Sequence, residues 1–148
     1  MKLNKTFTNI LTALEENSTC KKHKVAALIV KDKRIISMGW NGVVEGAPHC
    51  TDVFKDYDTF SEEFREKHRE WSKDNELHAE LNAIAFAAKE GISTEGAEIY
   101  ITMPPCSSCA HLIIAAGIHK VFYKKSHNSS MKSIEKLNRV GIVVNNIQ

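Results

Sequence analysis

The strongest constraint on how this chain can fold is a pair of short motifs in its second half, His78-Ala79-Glu80 and Pro105-Cys106-Ser107-Ser108-Cys109. Two cysteines three apart at a helix start can place both sulfurs on one metal ion, and the helix dipole favours their thiolate forms. One histidine from another helix start supplies a third ligand. Three protein ligands leave the fourth position of a tetrahedral zinc open to water, which is the pattern of a catalytic site. Glu80, two residues beyond His78, is within reach of that water and reads as a proton carrier, not a ligand. A fold that uses these residues together must bring the starts of two separate helices to one point.

The hydrophobic pattern supplies those helices. Leu3, Phe7, Ile10, Leu11 and Leu14 share one face of a helix over 3–16. Residues 24–31 and 34–40 read as an antiparallel hairpin around a polar corner. Asn41-Gly42, Gly46 and Pro48 mark a loop. A charged helix follows over 59–73, with Phe60, Phe64 and Trp71 as its apolar points. Residues 77–90 are alanine-rich and apolar nearly all round, which predicts a helix buried on most sides, in the core or in a subunit interface. A strand over 98–102 is stopped by Pro104-Pro105. A helix over 106–116, a strand over 120–124, a helix over 131–140 and a strand over 142–144 complete the chain. This order, α-β-β-α-α-β-α-β-α-β, predicts an α/β fold with a parallel section and helices on both faces.

Residues 1–148 are the right length for one domain. Twenty basic and 18 acidic residues leave a net charge of +2, so no broad cationic field for nucleic acid is expected. No apolar run approaches the ~18 residues of a membrane span. Residues 1–20 show no signal peptide. The expected setting is the cytoplasm, where four cysteines point to metal or catalysis before disulfides.

An H-x-E motif followed by P-C-x-x-C is the signature of zinc-dependent deaminases. Residues 20–128 resemble the deoxycytidylate deaminase family, a branch of the cytidine deaminase superfamily. The stretch 68–82 (HREWSKDNELHAELN), together with 100–123, looks especially like the phage-type members. The resemblance implies a cytidine-deaminase-like fold, with a five-stranded mixed sheet sandwiched between helices. It implies hydrolysis of dCMP to dUMP and ammonia, feeding thymidylate synthesis, with zinc on His78, Cys106 and Cys109 and Glu80 as the proton shuttle. It further implies that the Ala79 N–H meets the pyrimidine O2 and that Asn41 holds the deoxyribose. Asn41, Gly42 and Gly46 resemble a loop that takes dCTP as activator or dTTP as inhibitor, with magnesium. The family is usually hexameric, and a phage-encoded member works in the host cytoplasm. The loop over 41–59 is shorter than in many phage-type relatives.

The residues alone leave other readings open. Asn41 before glycine is also an ordinary turn residue, and Val25 fits the core as well as the face of a base. Lys24, Lys124, Lys125 and His127 are all available cations for a substrate phosphate. A tRNA adenosine deaminase shares His78, Glu80, Cys106 and Cys109 but calls for a strongly basic face. A free cytidine deaminase differs in the substrate phosphate. A non-catalytic zinc module has no use for Glu80.

Cys20 and Cys50 remain after this site is filled. The hairpin between them returns the chain, so they can be neighbours. In a reducing compartment such a pair suits a metal better than a disulfide. A closed structural zinc site needs two further ligands. His23 and His49 are nearest in sequence, although adjacent residues such as His49 and Cys50 strain to share one tetrahedral ion. The phage-type resemblance instead supplies His68 and Glu76.

Overall fold

The computed structural model describes residues 2–127 and 129–148. In chain order the elements are α1 (Lys2–Glu15), β1 (Ala26–Lys31), β2 (Arg34–Trp40), β3 (Gly42–Val43), α2 (Cys50–Val53), α3 (Glu62–Asn75) and β4 (Glu76–Leu77). They continue with α4 (Ala79–Lys89), β5 (Glu98–Ile101), α5 (Ser107–Ala115), β6 (Lys120–Tyr123), α6 (Met131–Arg139) and β7 (Val143–Asn146). Five strands form one mixed sheet in the order β2-β1-β5-β6-β7. β1 is antiparallel to both β2 and β5, while β5, β6 and β7 run parallel. The α/β class, the hairpin and the parallel second half agree with the hydrophobic pattern.

β1 is the central ruler of this sheet. Successive side chains of a strand face opposite ways, and here both faces are covered. Ala27 and Ile29 enter the larger core with Ala79 and Ala83 of α4, Ala110 and Ile113 of α5 and Leu137 of α6. Ala26, Leu28 and Val30 turn to the other side, onto Phe7 and Leu11 of α1. That double burial explains why 24–31 reads as a continuous apolar run without alternation. Asp32 and Lys33 close the hairpin with φ of 50° and 65°, the left-handed pair of a tight two-residue turn.

Three features differ from the sequence reading. The stretch read as a loop contains α2 and β3, and β3 pairs with β4 in a separate two-stranded sheet, Gly42 opposite Leu77 and Val43 opposite Glu76. Elements of two to four residues have no period for a pattern to reveal. The charged helix begins at Glu62 on a Ser61 cap and leaves Phe60 85% exposed. Helix α4 buries one face, through Ala79, Glu80, Ala83 and Ala87, while Phe86 stays 48% exposed. Burial on most sides is therefore not reached within this chain.

α4 approaches β2 unusually closely. A Cβ placed on Gly39 would lie 2.6 Å from Ala83 N and 2.7 Å from Ala79 O. On either side, Ser37 Oγ donates to Ala83 O at 2.6 Å and Asn82 Nδ2 donates to Trp40 O at 2.7 Å. Only glycine allows this backbone-to-backbone contact. Gly39→Ala should force α4 outward and destabilise the fold by about 1–3 kcal/mol, seen as a lower thermal midpoint. Because α4 carries His78 and Glu80, activity should fall more steeply than stability alone accounts for.

Candidate active site

His78 and Cys106 hold equivalent places, each the last extended residue before a helix. His78 is the N-cap of α4 (φ −71°, ψ 153°) and Cys106 the N-cap of α5 (φ −69°, ψ 172°). The Cys109 N–H donates to Cys106 Sγ at 3.5 Å, so the first turn of α5 favours a thiolate there. His78 Nδ1 lies 3.5 Å from the Sγ of both cysteines. Tetrahedral zinc with ordinary Zn–S and Zn–N bonds separates such donors by about 3.5 Å. Two thiolates and an imidazole are also a donor set that zinc favours. The three side chains therefore fit one zinc ion as they stand.

The electrostatics are consistent with that donor set. Cys106 is pulled far below the usual thiol range, to about 3, by the Cys109 thiol and by His78. Cys109 is pushed up by Cys106 and by burial, and His78 is raised by its bond to Cys106. Glu80 sits in the first turn of α4, only 4% exposed, and burial raises its carboxyl above the usual range. A cleft of about 470 Å³ opens over these groups, with Val25, Asn41, Ala79, Met103 and Ser130 on its wall. That volume suits a small polar ligand.

A second cluster stands beside the first. One donor atom from each of Cys20, Cys50, His68 and Glu76 lies within 4.8 Å of the others. Cys20 Sγ is 3.4 Å from His68 Nε2, which is 3.7 Å from Glu76 Oε2. The Lys21 N–H donates to Cys50 Sγ at 3.4 Å. Glu76 Oε1 is buried with no partner, and burial beside Cys20 raises this carboxyl to about 8. An orphaned buried carboxylate oxygen is costly, and a bound cation would remove the cost. Two thiols, an imidazole and a carboxylate make a closed four-ligand set of the structural type. Neither nearer histidine joins the cluster: His49 Nδ1 contacts Thr19 Oγ1 at 3.3 Å, and His23 lines the cleft, as Cys20, His68 and Glu76 also do.

A family model described as the cytidine and deoxycytidylate deaminase zinc-binding region matches residues 1–125. The chain belongs to that family. It is 36% identical to the deoxycytidylate deaminase of Enterobacteria phage T4, over 96% of this chain and 88% of the relative. It is 34% identical to the Mycobacterium phage D29 deoxycytidylate deaminase, over 80% of this chain and 91% of the relative. The crystal structure of dCMP deaminase from cyanophage S-TIM5, in complex with dCMP and dUMP, superposes with a TM-score of 0.80 at 27% identity, covering 99% of this chain and 97% of that one. The five-stranded mixed sheet between helices is thus the fold that the resemblance implied.

The remaining site candidates are placed unevenly. Ala79 is fully buried as the first residue of α4, on the cleft wall. Asn41 also lines the cleft, but its side chain is engaged: Oδ1 accepts the Val25 N–H at 2.9 Å and Nδ2 donates to His23 O at 2.7 Å. Gly42 lies in β3 opposite Leu77 of β4, and Gly46 sits at φ 86° in an exposed turn. Of the four cations considered for phosphate, Lys24 pairs with Glu16 at 3.1 Å, and Lys124 and Lys125 pair with Glu15. His127 alone among them reaches the cleft, joined there by Lys22, Arg69 and Lys132. Nothing in the sequence distinguishes those three from other surface cations.

Metal analysis checks both clusters together. The purified protein should carry two zinc ions per chain. Cys50→Ser should keep one, with a lower thermal midpoint and residual activity. Cys106→Ala should also keep one but lose activity, because two remaining ligands hold zinc weakly.

Proposed function

We propose that this protein is a zinc-dependent deoxycytidylate deaminase, hydrolysing dCMP to dUMP and ammonia. The observation that carries this reading is the position of Glu80, a buried carboxylate on the floor of a nucleotide-sized cleft, beside a three-donor zinc cluster with one side open. The phage relatives named deoxycytidylate deaminase, and the cyanophage neighbour in complex with dCMP and dUMP, favour this substrate.

His78, Cys106 and Cys109 would hold the catalytic zinc, which supplies an activated water when bound. Glu80 would take a proton from the attacking water and deliver it to N3 of the pyrimidine, and would then protonate the C4 amino group, so that the C4–N bond breaks and ammonia leaves as the water oxygen stays on C4. Burial suits this work, since it raises the Glu80 carboxyl above the usual carboxylate range and so eases its protonation. The Ala79 N–H is one of the first-turn donors that a helix leaves without an intrahelical partner, and it is offered to the pyrimidine O2. Asn41 meets the deoxyribose while it braces Val25. The 5′-phosphate lies toward the start of α6, among His127, Ser129, Ser130 and Lys132, with Lys22 and Arg69 adding positive charge.

The same reading includes a second, structural zinc on Cys20, Cys50, His68 and Glu76. It includes regulation by dCTP or dTTP with magnesium through Asn41, Gly42 and the turn at Gly46. It also includes a homo-oligomer, a hexamer as the family resemblance suggests, for which the exposed apolar side of α4 around Phe86 is available. None of the helices among the described residues is long and apolar enough to cross a membrane. The phage relatives point to work in the cytoplasm, the host's if a phage encodes the chain.

Glu80→Gln should lose at least ~100-fold in kcat while its zinc content, measured by metal analysis, stays at the wild-type level. Near-wild-type turnover in that variant would remove Glu80 from the mechanism. Ammonia release should favour dCMP over deoxycytidine in kcat/KM, with CMP and an adenosine-containing RNA hairpin as further substrates in the comparison. In the same assay dCTP with magnesium should raise the rate at low dCMP and dTTP should lower it. Hyperbolic kinetics indifferent to both nucleotides would remove the regulatory part alone.

A further inference from the structure

Glu15 is a buried carboxylate that the deamination chemistry does not use. It is the last residue of α1 and 6% exposed. Both facts weigh against a charge there: burial strips its water, and the C-terminal end of a helix dipole repels an anion. The surroundings compensate. Thr102 Oγ1 donates to Glu15 Oε1 at 2.8 Å, Lys124 Nζ lies 2.6 Å from the same oxygen, and Lys125 Nζ is 3.5 Å from Oε2. Thr102, 1% exposed, also accepts the Ala26 N–H on its Oγ1 at 2.9 Å, and its carbonyl accepts the Lys125 N–H at 2.8 Å.

Each of these partners stands at the root of a cleft-lining segment. Thr102 leads into Met103–Cys106, which ends in a zinc-ligand candidate. Ala26 follows Val25, whose N–H and carbonyl are both bonded to Asn41. Lys124 and Lys125 open the segment that brings His127, Ser129 and Ser130 to the cleft. No described residue of α1 lines the cleft itself. One carboxylate thus ties together, from behind, three stretches of the wall that must close around one ligand.

We propose that Glu15 is a positioning residue for the reaction, setting the spacing of the cleft walls through Thr102, Lys124 and Lys125. The role rests on the dCMP reading of the cleft. Glu15→Gln preserves volume and can still accept from Thr102, but it leaves both lysines without a counter-charge. In the zinc-loaded variant, KM for dCMP should rise by at least ~5-fold while kcat changes by less than ~3-fold, because misplaced walls weaken binding of the nucleotide before they touch the chemistry. Hydrogen exchange at the amides of Ala26 and Lys125 should quicken. Lys125→Gln, at a half-exposed position, should move KM the same way but less, and it decides the matter if Glu15→Gln does not fold. A wild-type KM in either folded variant, with or without faster exchange, overturns the proposal, as does a loss confined to kcat or to zinc content. A wild-type enzyme that releases no ammonia from dCMP overturns the substrate reading instead. The KM of whichever cytosine nucleotide or nucleoside it does deaminate then judges Glu15.

Discussion

The close contact of α4 with β2 at Gly39 fixes where the chemistry can happen. Three contacts with the backbone of β2 and its side chains hold the first turns of α4, so the N-cap His78 and Glu80 have little freedom to drift. The sheet order then does the rest. β1 lies between β2 and β5, so α4 and the helix that follows β5 pack as neighbours over the same face. The start of α5 comes up beside the start of α4, and its sulfurs meet the imidazole. A three-donor cluster that fits a metal is thus assembled from two helix N-termini, where backbone N–H groups and the helix dipoles favour thiolates.

What could be read from the chain follows from what repeats. Strands and helices long enough to show a period were legible: the α1 stripe of Phe7 and Leu11, the buried β1 run, and the parallel β5, β6 and β7 between helices. The zinc-ligand candidates and Glu80 stood out because the chemistry expected of them needs fixed spacings at helix starts. His68 is the contrary case. It sits in a helix whose surroundings are charged, and a histidine there is indistinguishable from a surface residue by pattern. Only family resemblance singled it out, and it proves 4% exposed among Phe54, Phe64 and Trp71. The ion pairs of Lys124 and Lys125 were hidden for a related reason: the buried acid that engages them, Glu15, lies more than a hundred residues earlier in the chain.

The cluster of Cys20, Cys50, His68 and Glu76 answers a different physical need. The stretch after β2 carries few apolar residues, and ordering it costs conformational entropy. Its small core consists of Cys20, Cys50, Phe54 and Phe64, with Tyr57 and Trp71 at the edge. Phe54 packs edge-on against Phe64 and Trp71 at ring separations of 5.4 and 5.5 Å. Such a core is small for the backbone it must hold. Glu76 enters it from β4, two residues before His78, so whatever settles the Glu76 carboxylate also settles the strand leading into the active-site helix.

Two buried carboxylates show how the same fold can tolerate opposite situations. Glu80 lies in the first turn of a helix, where the dipole stabilises a negative charge, and a carboxylate there needs few partners. It is left with little but its own backbone N–H and the neighbouring metal-site groups, as a group that must exchange protons should be. Glu15 lies in the last turn of a helix, where the dipole opposes it, and it is surrounded by two ammonium groups and a hydroxyl. A carboxylate so fully engaged is a firm tether. The position of each acid along its helix thus sorts it into chemistry or architecture. On that criterion Glu80 suits the proton transfer proposed for it, and Glu15 suits the tethering proposed for it.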